Sequence, residues 1–235
     1  MGVLNTYNFN DGTTGDMVDD SPTGSGLGLV SSSLVYEGAN ALRQWDFDSS
    51  GFVVNGARTP TYSPFKARIY GRGAFYYKGF DDYLGANESA TGVHCQMDGA
   101  APLYHYDGNT VDSKLHLYRD TTNLVTGTAV LSLNTWYIWL FQCFAAGVST
   151  VIELKLYNST GTSLLDTLTY NGNDTTLNVQ YVSFQGGAWN TAGKGCYWDW
   201  IEIRDDAYPS TIPPAPNFFV KTAVRPRPFA PGRAR

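Results

Sequence analysis

Four carboxylates in one short stretch, Asp199, Glu202, Asp205 and Asp206, are the densest grouping in this chain that could do acid–base chemistry. Cleavage of a glycosidic bond needs two such acids about 5–10 Å apart, one of them held protonated. Asp199 and Glu202 are three residues apart, and in a regular strand residues three apart face opposite ways. The spacing predicts no shared cleft and no catalytic pair. Nucleophilic chemistry has no better footing. The sequence holds no Gly-x-Ser-x-Gly elbow, and Cys95, Cys143 and Cys196 are far apart with no CxxC pattern, which reads as three reduced thiols.

Metal ligation is equally sparse. His94 adjoins Cys95, but strand neighbours face opposite sides. His105 and His116 fall in separate segments, so no zinc set with recognisable spacing is expected. Hard oxygen ligands cluster near the first turn as Asp11, Asp16, Asp19 and Asp20. Asp11 and Asp16 are the candidate Ca2+ pair, without EF-hand spacing, and solvated loop carboxylates are the plainer reading. No other cofactor is expected. Aromatic rings are more plentiful: Tyr62, Tyr70, Tyr76, Tyr77, Phe80 and Tyr83 crowd one stretch, and Tyr104 and Tyr106 flank His105. Such rings can stack on sugar faces or fill a protein interface, and Tyr76, Tyr77, Tyr83, Tyr104 and Tyr106 are the candidates. About half of the crowded aromatics should belong to the core instead.

The elements that must carry these residues read as β-strands. Ile152, Leu154 and Leu156 alternate with Glu153 and Lys155, the period of a half-buried strand. Trp136 to Phe141 is continuously apolar and predicts a strand covered on both faces. Asn158 to Gly161, between Leu154-Lys155-Leu156-Tyr157 and Leu164-Leu165-Asp166-Thr167-Leu168, predicts a hairpin turn. With 25 glycines, 14% aromatic and only 16% charged residues, the 235-residue chain predicts an all-β, two-sheet antiparallel sandwich over residues 1–210.

Past residue 210 the composition changes. Six of the eleven prolines fall in 211–235, together with five basic residues and no acidic one. The remainder carries 11 basic against 21 acidic residues. Proline at this density predicts an extended arm rather than a strand or helix. Its apolar anchors (Phe218, Phe219, Val220, Phe229) and its cations (Lys221, Arg225, Arg227, Arg233, Arg235) suit an acidic groove with aromatic pockets on a neighbouring subunit. The acidic body repels phosphates, so nucleic acid is not the expected partner. The N-terminus shows no signal-peptide pattern, and no apolar run is long enough to cross a bilayer as a helix, so synthesis in a reducing cytosol without membrane insertion is expected.

The opening Tyr7-Asn8-Phe9-Asn10-Asp11-Gly12-Thr13-Thr14-Gly15 resembles the first strand and turn of concanavalin A-like, LamG-type jelly rolls. Leu133-Asn134-Thr135-Trp136-Tyr137 resembles their Trp-Tyr strand, and Tyr197-Trp198-Asp199-Trp200-Ile201-Glu202-Ile203-Arg204-Asp205-Asp206 their last strand. The likeness spans roughly residues 3–210. It implies a jelly roll with an extended C-terminal arm. With this arm, the chain looks like virion proteins of tailed, actinobacterial-type bacteriophages. That implies a non-enzymatic structural protein located in the virion: a minor tail protein that is a homo-oligomer, is anchored to other virion proteins by its arm and contacts host surface glycans. A capsid decoration protein using the same arm is the alternative. A carbohydrate-active enzyme is the third reading. Retaining enzymes of this fold carry Glu-x-Asp-x-x-Glu, and here Tyr197 stands where the leading Glu would be.

Overall fold

The computed structural model describes residues 2–20, 28–45, 52–77, 92–97, 103–108, 112–146, 149–173, 178–189 and 195–208. At 45, 52–55, 94, 103, 105–108, 145–146, 149, 187–189 and 195 it describes the backbone alone. The strands in chain order are β1 (Val3–Tyr7), β2 (Val18–Asp19), β3 (Leu29–Ser31), β4 (Ala41–Trp45), β5 (Phe52–Arg58), β6 (Arg68–Tyr77), β7 (Gly92–Met97) and β8 (Leu103–Gly108). They continue as β9 (Lys114–Arg119), β10 (Thr122–Val130), β11 (Thr135–Ala146), β12 (Ser149–Tyr157), β13 (Leu164–Gly172), β14 (Val179–Trp189) and β15 (Gly195–Arg204). No helix occurs among the described residues.

These strands form two antiparallel sheets packed as a jelly-roll sandwich. Sheet A runs β13-β12-β11-β6-β15-β4-β3, with β1 on the second half of β15; sheet B runs β10-β9-β8-β7-β14-β5-β2. Alternation in the sequence fills the space between them. Ile152, Leu154 and Leu156 of β12 point inward and are buried, as their spacing predicts. The expected hairpin joins β12 to β13, its turn closed by the Asn158 side chain, which accepts the N–H groups of Thr162 and Ser163 at 3.0 and 3.2 Å. Trp136 to Phe141 is buried on both faces, also as read from the sequence.

Aromatic rings knit the centre of the core. Phe75, Trp139 and Trp198 of sheet A meet at 4.8–5.2 Å between centroids, and Phe184 of sheet B lies 5.3 Å from Trp198. Each such ring pair adds about 0.5–1.5 kcal/mol beyond the area it buries. At one margin Asp166 of β13 reaches across to β10, accepting the N–H groups of Thr128 and Ala129 at 2.5 and 2.8 Å. The carboxylate thereby ties the edge of sheet A to the edge of sheet B. The proposed boundary at residue 210 and the arm from 211 to 235 lie outside the described residues.

Candidate functional site

The outward face of sheet A gathers more chemistry than any other described surface. Its centre is β15, which the sequence reads as a regular strand. Asp199 pairs with Ala74 and Glu202 with Arg72 of β6, two partners that share a face because they are two residues apart. Asp199 and Glu202 therefore lie on the same face, contrary to the expectation from their spacing. The cause is a bulge between them, with Trp200 in the left-handed region at φ 50°. One extra residue resets the alternation, so that Trp198 and Ile201 both point to the core.

Shared facing does not make a catalytic pair. Asp199 is fully buried and accepts three backbone N–H groups: Tyr36 and Glu37 at 2.9 Å each through Oδ2, and Trp200 at 2.7 Å through Oδ1. Burial raises its pKa from 3.8 to about 7, against the lowering pull of those donors. Glu202 is held by Arg72 at 2.5 Å and by Arg204 at 3.2 Å. Asp205 pairs with Lys66 at 3.3 Å, and Asp206 takes the Arg204 guanidinium at 2.8 and 2.9 Å. Each of the four carboxylates has a structural partner, and Asp199 has no exposure through which to meet a substrate.

Around this frame lies a second apolar cluster, separate from the inter-sheet core. Tyr36, Ala41, Ala74, Trp136, Ile138 and Tyr197 form it, with Leu34, Tyr76, Tyr157 and Trp200 packed at its margin. Residues 32–40 form an irregular strap over it. Asp199 holds the strap by the backbone, and the Tyr36 hydroxyl donates to the Ser159 carbonyl at 2.9 Å. The Tyr36 ring lies 5.3 Å from Trp136 and 6.5 Å from Trp200. The Arg72 guanidinium stacks over the Trp200 ring at 3.5 Å. Tyr76 is half-buried, edge-on to Trp136 at 5.2 Å and to Tyr197 at 6.0 Å.

Of the aromatic candidates, Tyr76 stands on this face. Tyr77 and Tyr104 are corrected: both point between the sheets, at 2% and 0% exposure, and are core residues unavailable to a ligand. Tyr106 sits in β8 in register with Val93 and Leu117, its side chain undescribed. Tyr83 and the arm residues Phe218, Phe219, Val220, Lys221, Arg225, Arg227, Phe229, Arg233 and Arg235 lie outside the described residues. The Asp11 carboxylate accepts the Thr13 N–H and hydroxyl at 2.9 Å each, and these bonds lower its pKa. Asp16 faces the Tyr7 hydroxyl. Among the described residues no three His, Cys, Asp or Glu side chains gather as a metal group. The sequence reading missed Tyr36, Arg72 and Trp200. Only the alternation of Arg72, Ala74 and Tyr76 along β6 could have signalled this face.

No family model matches the chain, and no curated protein matches it in sequence. Solved structures do match in fold. A protein of unknown function from Shewanella oneidensis MR-1 superposes with a TM-score of 0.51 at 15% identity, covering 82% of this chain and 80% of its own. The Ca2+/Man3GlcNAc-bound exoplasmic/lumenal domain of VIP36 gives 0.55 at 8% identity, over 93% and 100%. Arcelin-5, a lectin-like defence protein from Phaseolus vulgaris, gives 0.52 at 8%, over 87% and 97%. The fold is thus a concanavalin A-like, legume-lectin-type β sandwich.

Proposed function

We propose that this chain is a non-enzymatic glycan-binding module, a minor tail protein of a tailed bacteriophage, joined to its virion neighbours through the arm at 211–235. The observation that carries the binding reading is the outward face of sheet A. It presents half-buried rings at its margin while the β15 carboxylates are committed to N–H groups and cations. Sugar rings offer C–H faces that stack on such rings, and polar groups at the edge fix orientation. Tyr76 is the ring for stacking; Ser33, whose hydroxyl is 3.2 Å from that of Tyr197, and exposed Glu37 supply the polar rim. The likeness to a VIP36 domain solved with Man3GlcNAc supports a glycan as the ligand class. The virion placement is supported by the arm's composition and by the resemblance of the sequence.

The test is a glycan array that includes host cell-wall polysaccharides, probed with the full chain and with Tyr76→Ala. The expected result is retention on a subset of glycans, weakened at least tenfold by the substitution. Retention on none, or retention indifferent to Tyr76, overturns the assignment of this face.

A further inference from the structure

Strand register lays five side-chain positions in one row across the outward face of sheet A. Leu29 of β3 is opposite Arg43 of β4, Arg43 is opposite Tyr197 of β15, Tyr197 is opposite Tyr76 of β6, and Tyr76 is opposite Trp136 of β11. Leu42, Phe75 and Trp198, the sequence neighbours of Arg43, Tyr76 and Tyr197, are buried between the sheets, so the row faces out. Its Leu29 end is open to solvent, at 54% exposure. Sequence reading singled out Tyr76 from this row and passed over Arg43, which only the pairing of β4 with β15 brings into line with it.

The polar tips of the row converge on the Tyr197 hydroxyl. The Ser33 hydroxyl of the strap lies 3.2 Å from it. Burial lowers the pKa of Arg43 and the Tyr197 phenol acts against that shift, so the guanidinium stands by the same hydroxyl. A guanidinium stays charged through such a shift and carries five N–H donors. Burial, and next the Tyr197 phenol, raise the pKa of Tyr76, so its ring adds no negative charge beside the row. One guanidinium with hydroxyls around it is a group that receives an oxyanion. Its planar fork matches two oxygens of a carboxylate or phosphate, and such charge-assisted bonds are about twice as strong as neutral ones.

The acidic groups nearest along the chain are engaged elsewhere. Asp199, two residues past Tyr197, accepts three backbone N–H groups. Glu37, four residues past Ser33, acts on Asp199 and Arg72. Arg43 and Tyr76 are two inter-strand steps apart, about 9.5 Å between backbones. A sugar ring over Tyr76 with a charged substituent covers that span. The net charge of −5 opposes an anion at long range. At physiological salt that field is screened within about 8 Å, and the donors at the site decide the contact.

We propose that Arg43, with the hydroxyls of Ser33 and Tyr197, receives an oxyanion substituent of the glycan, a sugar carboxylate or phosphate, while Tyr76 stacks on the ring that bears it. This rests on the glycan-binding function proposed for the same face and adds its ligand class, an acidic rather than a neutral glycan.

The experiment measures binding of the full chain to a uronic-acid polysaccharide and to a polyol-phosphate glycan, each beside its neutral counterpart, carboxyl-reduced or dephosphorylated. Binding to one acidic polymer should exceed binding to its counterpart at least tenfold and should weaken as salt rises. Which polymer is bound tells whether the group is a carboxylate or a phosphate. Arg43→Gln should cut that preference at least tenfold, and Arg43→Lys should restore part of it, since it keeps the charge and loses the fork. The comparison of polymers uses the unsubstituted chain, so it stands even if a variant fails to fold. Tyr76-dependent binding of neutral glycans with no gain from either acidic group overturns the ligand class and leaves the glycan face in place. Retention of no glycan at all removes both. An unchanged preference in folded Arg43→Gln protein overturns the role of Arg43.

Discussion

The Asp199 carboxylate accepts the backbone N–H of Tyr36 at 2.9 Å across 163 residues of chain, and this bond sets the strap 32–40 over sheet A. A buried carboxylate among backbone donors needs no side-chain cation, but it carries the cost of lost hydration. The bulge at Trp200 makes the arrangement feasible, because it aims Asp199 outward while Trp198 and Ile201 both stay in the core.

The stability of the protein should carry a signature of this group. Its pKa rises from 3.8 unfolded to about 7 folded, chiefly through burial. Between about pH 4 and pH 7 the folded chain therefore holds a proton that the unfolded chain has released. The contribution of Asp199 to stability falls as pH rises through that window. Asp199→Asn removes the effect, so its Tm relative to the unsubstituted protein should climb from pH 4 to pH 8. Parallel Tm curves for the two proteins would refute this. Asp199→Ala leaves three N–H groups without their acceptor, at about 1–3 kcal/mol for each that stays buried, and should lower Tm at every pH.

The glycines of β6 make a second, paired prediction. Gly71 is the direct partner of Phe141 on β11, and a Cβ at Gly71 would fall on the Phe141 ring. At Gly73 the nearest atom to such a Cβ is Ile201 Cγ1 at 3.5 Å, an ordinary contact. Gly71→Ala should destabilise by about 1–3 kcal/mol through overpacking. Gly73→Ala should be neutral or stabilise by up to about 1 kcal/mol, since glycine loses more backbone freedom on folding. Urea unfolding of both variants measures the contrast; equal midpoints would mean that the ring does not sit over Gly71.

The sandwich was legible because its evidence is local. Inward alternation in β12, the doubly covered run in β11 and the Asn158 turn each show within a few residues. The sites were less legible, since they depend on parity and register. One left-handed residue, Trp200, inverted the facing expected for Asp199 and Glu202. Tyr77 and Tyr104 show the same limit, because aromatic crowding does not reveal which side of a strand faces the core.

The three cysteines should behave as inert core residues. All are free and wholly buried, and burial pushes the thiols of Cys143 and Cys196 up, with Cys95 adding to the effect at Cys143. Thiolate is the reactive form, so native protein at pH 8 should release almost no thionitrobenzoate from Ellman's reagent. In denaturant it should release three equivalents per chain. Rapid labelling of the native protein would show that the core opens around these strands.

The arm makes the last prediction, and it separates folding from assembly. The inter-sheet core and the outward cluster are built from residues before 209, and the last described contacts of the chain are those of Tyr208, whose hydroxyl donates to Glu153 at 2.7 Å and whose ring lies 5.0 Å from Tyr70. A chain ending at residue 210 keeps these contacts and should retain its β-sheet circular dichroism and its Tm within a few degrees. It loses every cation and aromatic anchor of 211–235, and with them the groups proposed to engage acidic, aromatic-lined grooves on virion neighbours. Particles produced with the shortened chain should lack it, while particles produced with the full chain carry it in the few copies of a tail component. Counting copies per particle by quantitative mass spectrometry decides the matter. Normal incorporation of the shortened chain would transfer the anchoring role to the sandwich itself, and dozens of copies of the full chain per particle would place it on the head lattice instead of the tail.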